Sequence, residues 1–407
     1  MAYREEVEVI SALCKNKDIH IMFDGGADNL ISDCKDIWDF IKDYYSQTRQ
    51  IPDGDLVATR FRDFDPVDAG PTIYHVDKLR SAYLDESLRN SVRKAANLIQ
   101  SNETGKALKE LSSDISMISR VTSKARDIDI TDIDEAVVYF EQLRQNALTD
   151  NVGIRTNIDA FDACLPMGIS KGQLGVLLAY PAIGKSWLAL YFAVQAWKTG
   201  RTPMVISLEM TEQEVRNRIF TIIASGYFSH RALSAGRVDE DDFRRWAEKE
   251  LKGKPPFKII SNEIGAEMNP HTIQAKIEQY RPDIVFIDYM QLMSDNAGTS
   301  NNETVKIKNL SRELKIMAIA QQIPVIAIAS ATPEDASDLE SVPKLGQVAW
   351  SKQIAYDADF VLALGRKQNS DAIEVSFRKN RHGPLGDFVI VADFDSGRFK
   401  EYSDFSQ

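Results

Sequence analysis

The sequence is short of the features that would make it a secreted, metal-clustered or membrane protein. Three cysteines in 407 residues, Cys14, Cys34 and Cys164, are odd in number and far apart. They fit neither a disulfide framework nor a zinc spacing and read as reduced core thiols. Five histidines, His20, His75, His230, His271 and His382, are scattered without the clustering a histidine metal site needs. The longest apolar runs reach about nine residues, against the ~20 that span a bilayer. The opening stretch MAYREEVEVISAL carries acids where a signal peptide would have a basic start, so the expectation is a cytoplasmic protein with no membrane partner. Positive charge is also in deficit: 49 Lys and Arg against 60 Asp and Glu leave a net charge of −11. That excludes a surface coated all over with nucleic acid, but leaves room for a local basic groove or pore. There is no internal repeat and no low-complexity segment.

What remains is a chain with enough apolar residues, 43%, to bury a real core and enough length for two or three domains. Residues 1–120 carry helical spacing: Ile37, Phe40, Ile41 and Tyr44 form one stripe, and Leu79, Tyr83, Leu88, Val92, Ala96 and Ile99 another. Pro52 and Gly54 break the pattern between them. This predicts a small all-helical N-terminal domain for interaction. Residues 121–152 begin polar and end in DEAVVYFEQLRQ, whose narrow apolar face (Val137, Val138, Phe140, Leu143) predicts a linker with a docking helix over 134–145. From residue 153 to 407 short apolar runs alternate with helical segments. The strand candidates are LGVLLA, PMVISLE, FKIIS, IVFID, PVIAIAS, DFVLALG, AIEVSF and FVIVADF. Such alternation predicts an α/β domain with a mostly parallel sheet that turns antiparallel toward its end.

The stretch AYPAIGKS, Ala179, Tyr180, Pro181, Ala182, Ile183, Gly184, Lys185 and Ser186, lies between the strand LGVLLA and the apolar helix WLALYFAVQAW. It is a phosphate-binding loop with alanine at its first glycine position. Backbone N–H groups of such a loop, aided by the helix N-terminus, cradle phosphate oxygens. Gly184 permits close backbone approach, Lys185 reaches the β- and γ-phosphates, and Ser186 holds Mg²⁺. Ala179 sits at the strand end, away from the phosphates. Hydrolysis also needs carboxylates. RPDIVFID ends a strand on Asp288, where a carboxylate orients the magnesium shell. PMVISLE brings Glu209 to another strand end, 24 residues after Lys185, where it can align and deprotonate the attacking water. Thr211 and Glu214 then form a Thr-x-x-Glu capping box for the following helix.

Together these pieces make the chain resemble RecA-type ATPases, and more closely the DnaB-type replicative helicases, including phage versions. SLEM (Ser207, Leu208, Glu209, Met210), IDYMQLM with Asp288, LSRELKIMAIAQQIPVIAIAS and RKNRHGPLGDF carry the resemblance. It implies a RecA-like P-loop ATPase core with ATP and Mg²⁺ between subunits of a homo-hexameric ring. It also implies that Lys379 and Arg381 reach across to the neighbour's γ-phosphate, and that the N-terminal domain forms a collar that meets a primase, with a helicase loader as a further partner. The linker helix would pack on the next subunit's motor, and translocation would run 5′ to 3′ on single-stranded DNA at a fork. One position departs from the family: Ser330 stands where a γ-phosphate-sensing glutamine usually ends PVIAIAS. With the acidic, shortened N-terminal domain, this suggests a phage-type version acting in a bacterial host cytoplasm. The serine is expected to reach the site only through water.

By the same resemblance, residues 331–359 occupy the place of pore-facing DNA loops, with Lys344, Gly346, Gln347, Trp350, Ser351 and Lys352 as candidate contacts. Trp350 is either a base-stacking platform or a buried anchor. Residues 294–306 form a second candidate loop. A hexamer repeats each lysine in every subunit, which reconciles an acidic chain with DNA binding. Two other readings share the ATP chemistry: a RecA-class recombinase that forms filaments, and a nucleotide-gated loading factor that does not unwind.

Overall fold

The computed structural model describes residues 2–122, 130–148, 153–261, 268–295, 303–333, 341–347, 353–366 and 370–402. The chain divides into two compact units, 1–136 and 137–407. The division falls inside helix α7 (Ile133–Leu148), a segment the sequence places within the linker.

The first unit is helical: α1 (Ala2–Asn16), α2 (His20–Phe23), α3 (Lys35–Thr48), α4 (Gly54–Arg60), α5 (Thr72–Gln100) and α6 (Thr104–Thr122). Its core joins Val9, Ile10 and Leu13 of α1 to Trp38 and Ile41 of α3 and to Val76 and Leu79 of α5. Glu6 is fully buried, and its carboxylate accepts from Ser32 N, Ser32 Oγ, Asp33 N and Cys34 N, satisfying backbone donors at the start of α3. Burial pushes the Cys14 thiol up to about 11 and the Cys34 thiol up to about 12, and all three cysteines are buried and free. The stripe read on the second half of α5 gives a helix but not its buried face. Leu88, Val92 and Ile99 are exposed, while Ser91 and Ala95 are buried. The small residues let α6 approach closely, and Ser91 Oγ donates to Asp114 Oδ2 at 2.8 Å.

The second unit is built on nine strands among the described residues. They are β1 (Leu174–Ala179), β2 (Pro203–Ser207), β3 (Lys258–Ser261), β4 (Ile284–Asp288), β5 (Val325–Ser330), β6 (Phe360–Arg366), β7 (Ala372–Asn380), β8 (Asp387–Asp393) and β9 (Arg398–Glu401). They run in the order β3-β2-β4-β5-β1-β6-β7-β8-β9. The first six strands of that order pair parallel and the rest antiparallel. Helices α8 (Asp159–Cys164), α9 (Lys185–Lys198), α10 (Glu212–Ala224), α11 (His230–Ser234), α12 (Glu240–Glu250), α13 (Pro270–Tyr280), α14 (Glu303–Gln321) and α15 (Gln353–Asp357) complete it. β1 and β4 are buried along their whole length, which is why they read as unbroken apolar runs. β9 escaped the sequence reading. Its four residues, RFKE, bury only Phe399, and it stands at the edge of the sheet, with no strand on its outer side among the described residues.

Candidate functional site

The phosphate loop leaves the C-terminal end of β1, which is flanked by β5 and β6 at the middle of the sheet. Open α/β sheets bind ligands at such strand ends. Two residues of the loop take left-handed backbone, Ala182 at φ 64° and Gly184 at φ 106°. α9 begins directly at Lys185, so its free N–H groups face the loop. Pro181, Ala182, Gly184, Lys185 and Ser186 line a cleft of about 700 Å³, together with Glu209, Glu214, Arg218, Tyr289, Ser330, Arg366 and Phe394. That is within the usual range for a small-molecule site. Ala179, Tyr180 and Ile183 are buried beneath the loop and shape it from below.

Both carboxylates reach this end of the sheet, although β2 stops at Ser207, short of the strand end at Glu209 that the sequence suggested. Asp288 ends β4, 5% exposed, in a hydrogen bond with Ser186. Burial raises its pKa, opposed by the Ser186 hydrogen bond, while the neighbouring Glu209 charge adds to the rise. Its Oδ1 is buried with no hydrogen-bond partner among the described residues. An orphaned carboxylate oxygen beside a hydroxyl, under a phosphate-shaped loop, suits the oxygen-seeking Mg²⁺ ion, which takes only one or two protein ligands besides phosphate. Glu209 lies two residues beyond β2, exposed at the cleft wall. The Thr211–Glu214 capping box is present and starts α10.

Two cations face the same cleft, Lys185 and Arg218. Burial lowers the Lys185 pKa, with Asp288 and Glu209 opposing it, and Lys185 Nζ donates to Ser330 Oγ at 2.8 Å. Ser330 therefore touches Lys185 directly, where the expectation was that it reaches the site only through water. Burial likewise lowers the Arg218 pKa, against the pull of Asp288, Glu214 and Glu209. The Arg218 guanidinium lies over the Trp187 ring, 5.2 Å from its centroid. Trp187 stacks on Phe394 at 5.3 Å, and the Arg366 guanidinium lies 5.0 Å over Phe394. Sequence reading passed over Arg218, Trp187, Arg366 and Phe394. Arg218 had a signal: it lies nine positions after Glu209, on the helix whose start was recognised. Phe394 had none, because only tertiary packing brings the β8–β9 turn over Gly184.

Lys379 and Arg381 lie elsewhere. β1 and β6 are parallel, with Ala179 opposite Leu364, whereas Lys379 is opposite Val361, toward the start of β6. The three residues between these registers separate them by about 10 Å along the strand, and the loop continues away from that point. Lys379 Nζ donates to the carbonyls of Ala355, Tyr356 and Ala358. Arg381 Nη2 donates to Tyr356 O at 2.8 Å, and its Nη1 lies 3.4 Å from Asp359 Oδ1.

Of the candidate DNA contacts, Lys344 and Gly346 are exposed. Gln347 is corrected to a structural role: it is buried, and its Oε1 accepts from Tyr180 Oη at 3.0 Å and from Lys344 N at 2.9 Å. Trp350, Ser351 and Lys352 lie outside the described residues, as do residues 296–302 of the second candidate loop. Among the described residues no helix is long and apolar enough to cross a membrane.

A family model of the DnaB-like helicase C terminal domain matches residues 153–401. The chain is 28% identical over 230 residues to a probable plasmid replicative DNA helicase of Chlamydia trachomatis, covering 56% of this chain and 50% of that protein. It is 26% identical over 354 residues to the replicative DNA helicase DnaC of Bacillus subtilis, covering 82% of this chain and 75% of the relative. The chain thus spans about half the length of the chlamydial relative and three quarters of the Bacillus one. Among solved structures, an isolated ATPase domain superposes with a TM-score of 0.58 at 25% identity, covering 68% of this chain and all of that one. A DnaB-like replicative helicase, described with its interactions with primase, superposes with a TM-score of 0.68 at 20% identity, covering 97% and 98% of the two chains. With the family match over most of its second unit, and with the phosphate loop, Glu209 and Asp288 assembled at the strand ends, the chain belongs to the DnaB-like helicase family.

Proposed function

We propose that the chain is a ring-forming replicative DNA helicase, an enzyme that moves along single-stranded DNA and opens duplex by hydrolysing ATP. One observation supports this most directly. The cleft gathers the groups a nucleotide would need, yet Lys379 lies about 10 Å back along the sheet from the loop, with Arg381 just beyond it. They serve a second copy's cleft or none.

In this reading the triphosphate lies along the loop from Pro181 to Ser186, its oxygens held by backbone N–H groups and Lys185. Its negative charge would meet the positive charges of the buried Lys185 and the half-buried Arg218. Mg²⁺, held by Ser186 and Asp288 with phosphate oxygens, would neutralise charge on the β- and γ-phosphates. Glu209 aligns the attacking water, and the neighbour's Arg381 and Lys379 stabilise the charge that develops on the γ-phosphoryl. The planar faces of Arg366 and Phe394 offer the base a stacking surface. The three-domain division of the sequence reading stands as part of this proposal: a helical collar over 1–120, a linker over 121–152 and the motor from 153. Exposed Val137, Val138, Phe140 and Leu143 on α7 support docking of that linker on a neighbouring motor. Lys344 and Gly346 remain candidate DNA contacts. A primase and a loader are the expected partners, and the cytoplasm is the expected place of work.

Strand displacement on forked DNA tests the reading. Wild type should unwind; Lys185→Ala should neither bind nucleotide nor unwind; Arg381→Ala should bind nucleotide and fail to unwind. Normal unwinding by Arg381→Ala would remove the trans role. Electron microscopy showing open filaments instead of rings would favour the recombinase reading. ATP turnover indifferent to single-stranded DNA and to Glu209→Ala would favour the loading factor.

A further inference from the structure

The turn between α15 and β6 holds a carboxylate that the ATP site does not use. Asp359 is 3% exposed, and it ties three parts of the motor together. Its Oδ2 accepts from Leu174 N at 2.7 Å, at the first residue of the strand that leads to the phosphate loop, and from Lys315 Nζ at 2.6 Å. Its Oδ1 faces Arg381 Nη1 at 3.4 Å and His382 Nε2 at 3.7 Å. The backbone repeats both links: Asp359 N donates to Leu174 O at 2.8 Å, and Arg381 N donates to Asp359 O at 2.9 Å. Lys379 is seated on the carbonyls of the same turn. The Arg381 side chain nevertheless stays 47% exposed, presented at the surface with only part of its donor fork in use.

A buried carboxylate with one oxygen spent on the core and the other on a surface guanidinium does more than neutralise Lys315. Lys315 also donates to Gly172 O at 2.8 Å, so it is anchored without Arg381. Arginine side chains are long and costly to immobilise, and transition-state stabilisation demands placement within about an ångström. We propose that Asp359 is a positioning residue for hydrolysis in the neighbouring subunit: it fixes Arg381 at the surface in the pose the next copy's γ-phosphate requires. This rests on the trans role given to Arg381 above.

The test is complementation of ATP turnover by co-expressed mixtures of variants. Asp359→Asn keeps an oxygen for Leu174 N but removes the charge that holds Arg381. Alone, it should lower kcat by up to about 10²-fold with little change in KM for ATP, the size expected of a misplaced catalytic group. Mixed with Lys185→Ala chains, which lack a working cleft but keep their own Asp359 and Arg381, turnover per Asp359→Asn chain should recover. The Asp359→Asn cleft then receives an intact finger. In an Arg381→Ala background, Asp359→Asn should change kcat by less than about twofold, because the group it positions is already gone. Failure of the mixture to recover, or an equal loss in the Arg381→Ala background, overturns the proposal and leaves Asp359 as a structural ion pair. The control mixture of Arg381→Ala with Lys185→Ala separates the two ideas. If that pair does not complement either, the trans role of Arg381 itself has failed. Should Asp359→Asn not fold because Lys315 is left uncompensated, the double variant Asp359→Asn/Lys315→Met removes the buried pair as a unit and carries the same mixing test with the same outcomes.

Discussion

Asp288 keeps a buried carboxylate oxygen without a hydrogen-bond partner among the described residues, and Gly184 holds a left-handed backbone at φ 106°. Burial raises the Asp288 pKa, so the folded chain binds a proton there more readily than the unfolded chain does. Stability therefore falls as pH climbs from the ordinary carboxyl range through the raised value. Asp288→Asn should raise the melting temperature of the nucleotide-free protein at about pH 7.5, with the difference shrinking as the pH is lowered, while turnover falls on the order of 10²-fold. Calorimetry across pH beside a turnover assay checks both halves; a lower melting temperature near neutral pH would contradict the assignment. Gly184 combines φ 106° with a roof: a Cβ there would come within 2.6 Å of Phe394 Cζ. Gly184→Ala should lose nucleotide binding. In a Phe394→Ala background it should stay defective, because the left-handed backbone still costs about 1–2 kcal/mol and distorts the loop. Full recovery of binding there would show that the clash alone mattered.

At the scale of elements, the least conspicuous strand bears on the site. β9 contributes Phe399, which packs 4.7 Å from Tyr191 of α9 and 6.1 Å from Phe394. Phe399→Ala should cost about 3–5 kcal/mol of stability and raise KM for ATP by loosening Phe394. A stability loss with unchanged KM would separate β9 from the cleft. Among the eight strands read from sequence, β1, β2, β4 and β5 were legible because parallel strands covered on both faces are apolar throughout. β9 was not, since an edge strand of RFKE buries one side chain and has no period to detect. α5 shows the converse. Its apolar stripe predicted the helix, but burial went to Ser91 and Ala95, because the approach of α6 rewards small residues over large ones.

For the whole molecule, the trans role proposed for Lys379 and Arg381 would make hydrolysis a property of assembly. ATP turnover per chain should be low in dilute solution and rise to a plateau with protein concentration; a value independent of concentration down to the monomer would contradict shared sites. Stimulation by single-stranded DNA should fall steeply with added salt, as phosphate contacts require. A stimulation insensitive to salt would remove the charged channel from the proposal.

The amino-acid order alone specified the alternation of strand and helix, the phosphate loop and the two carboxylates, because each depends on local chemistry and on burial that leaves a periodic trace. Long-range packing decided what carries no such trace: that Phe394 and Arg366 cover the loop, that Arg218 enters the cleft, that Gln347 turns inward to Tyr180, and that Asp359 joins Leu174 to Arg381 from opposite ends of the motor's sequence. These contacts arise where distant strand ends meet, and no spacing within one segment can report which side chains meet there.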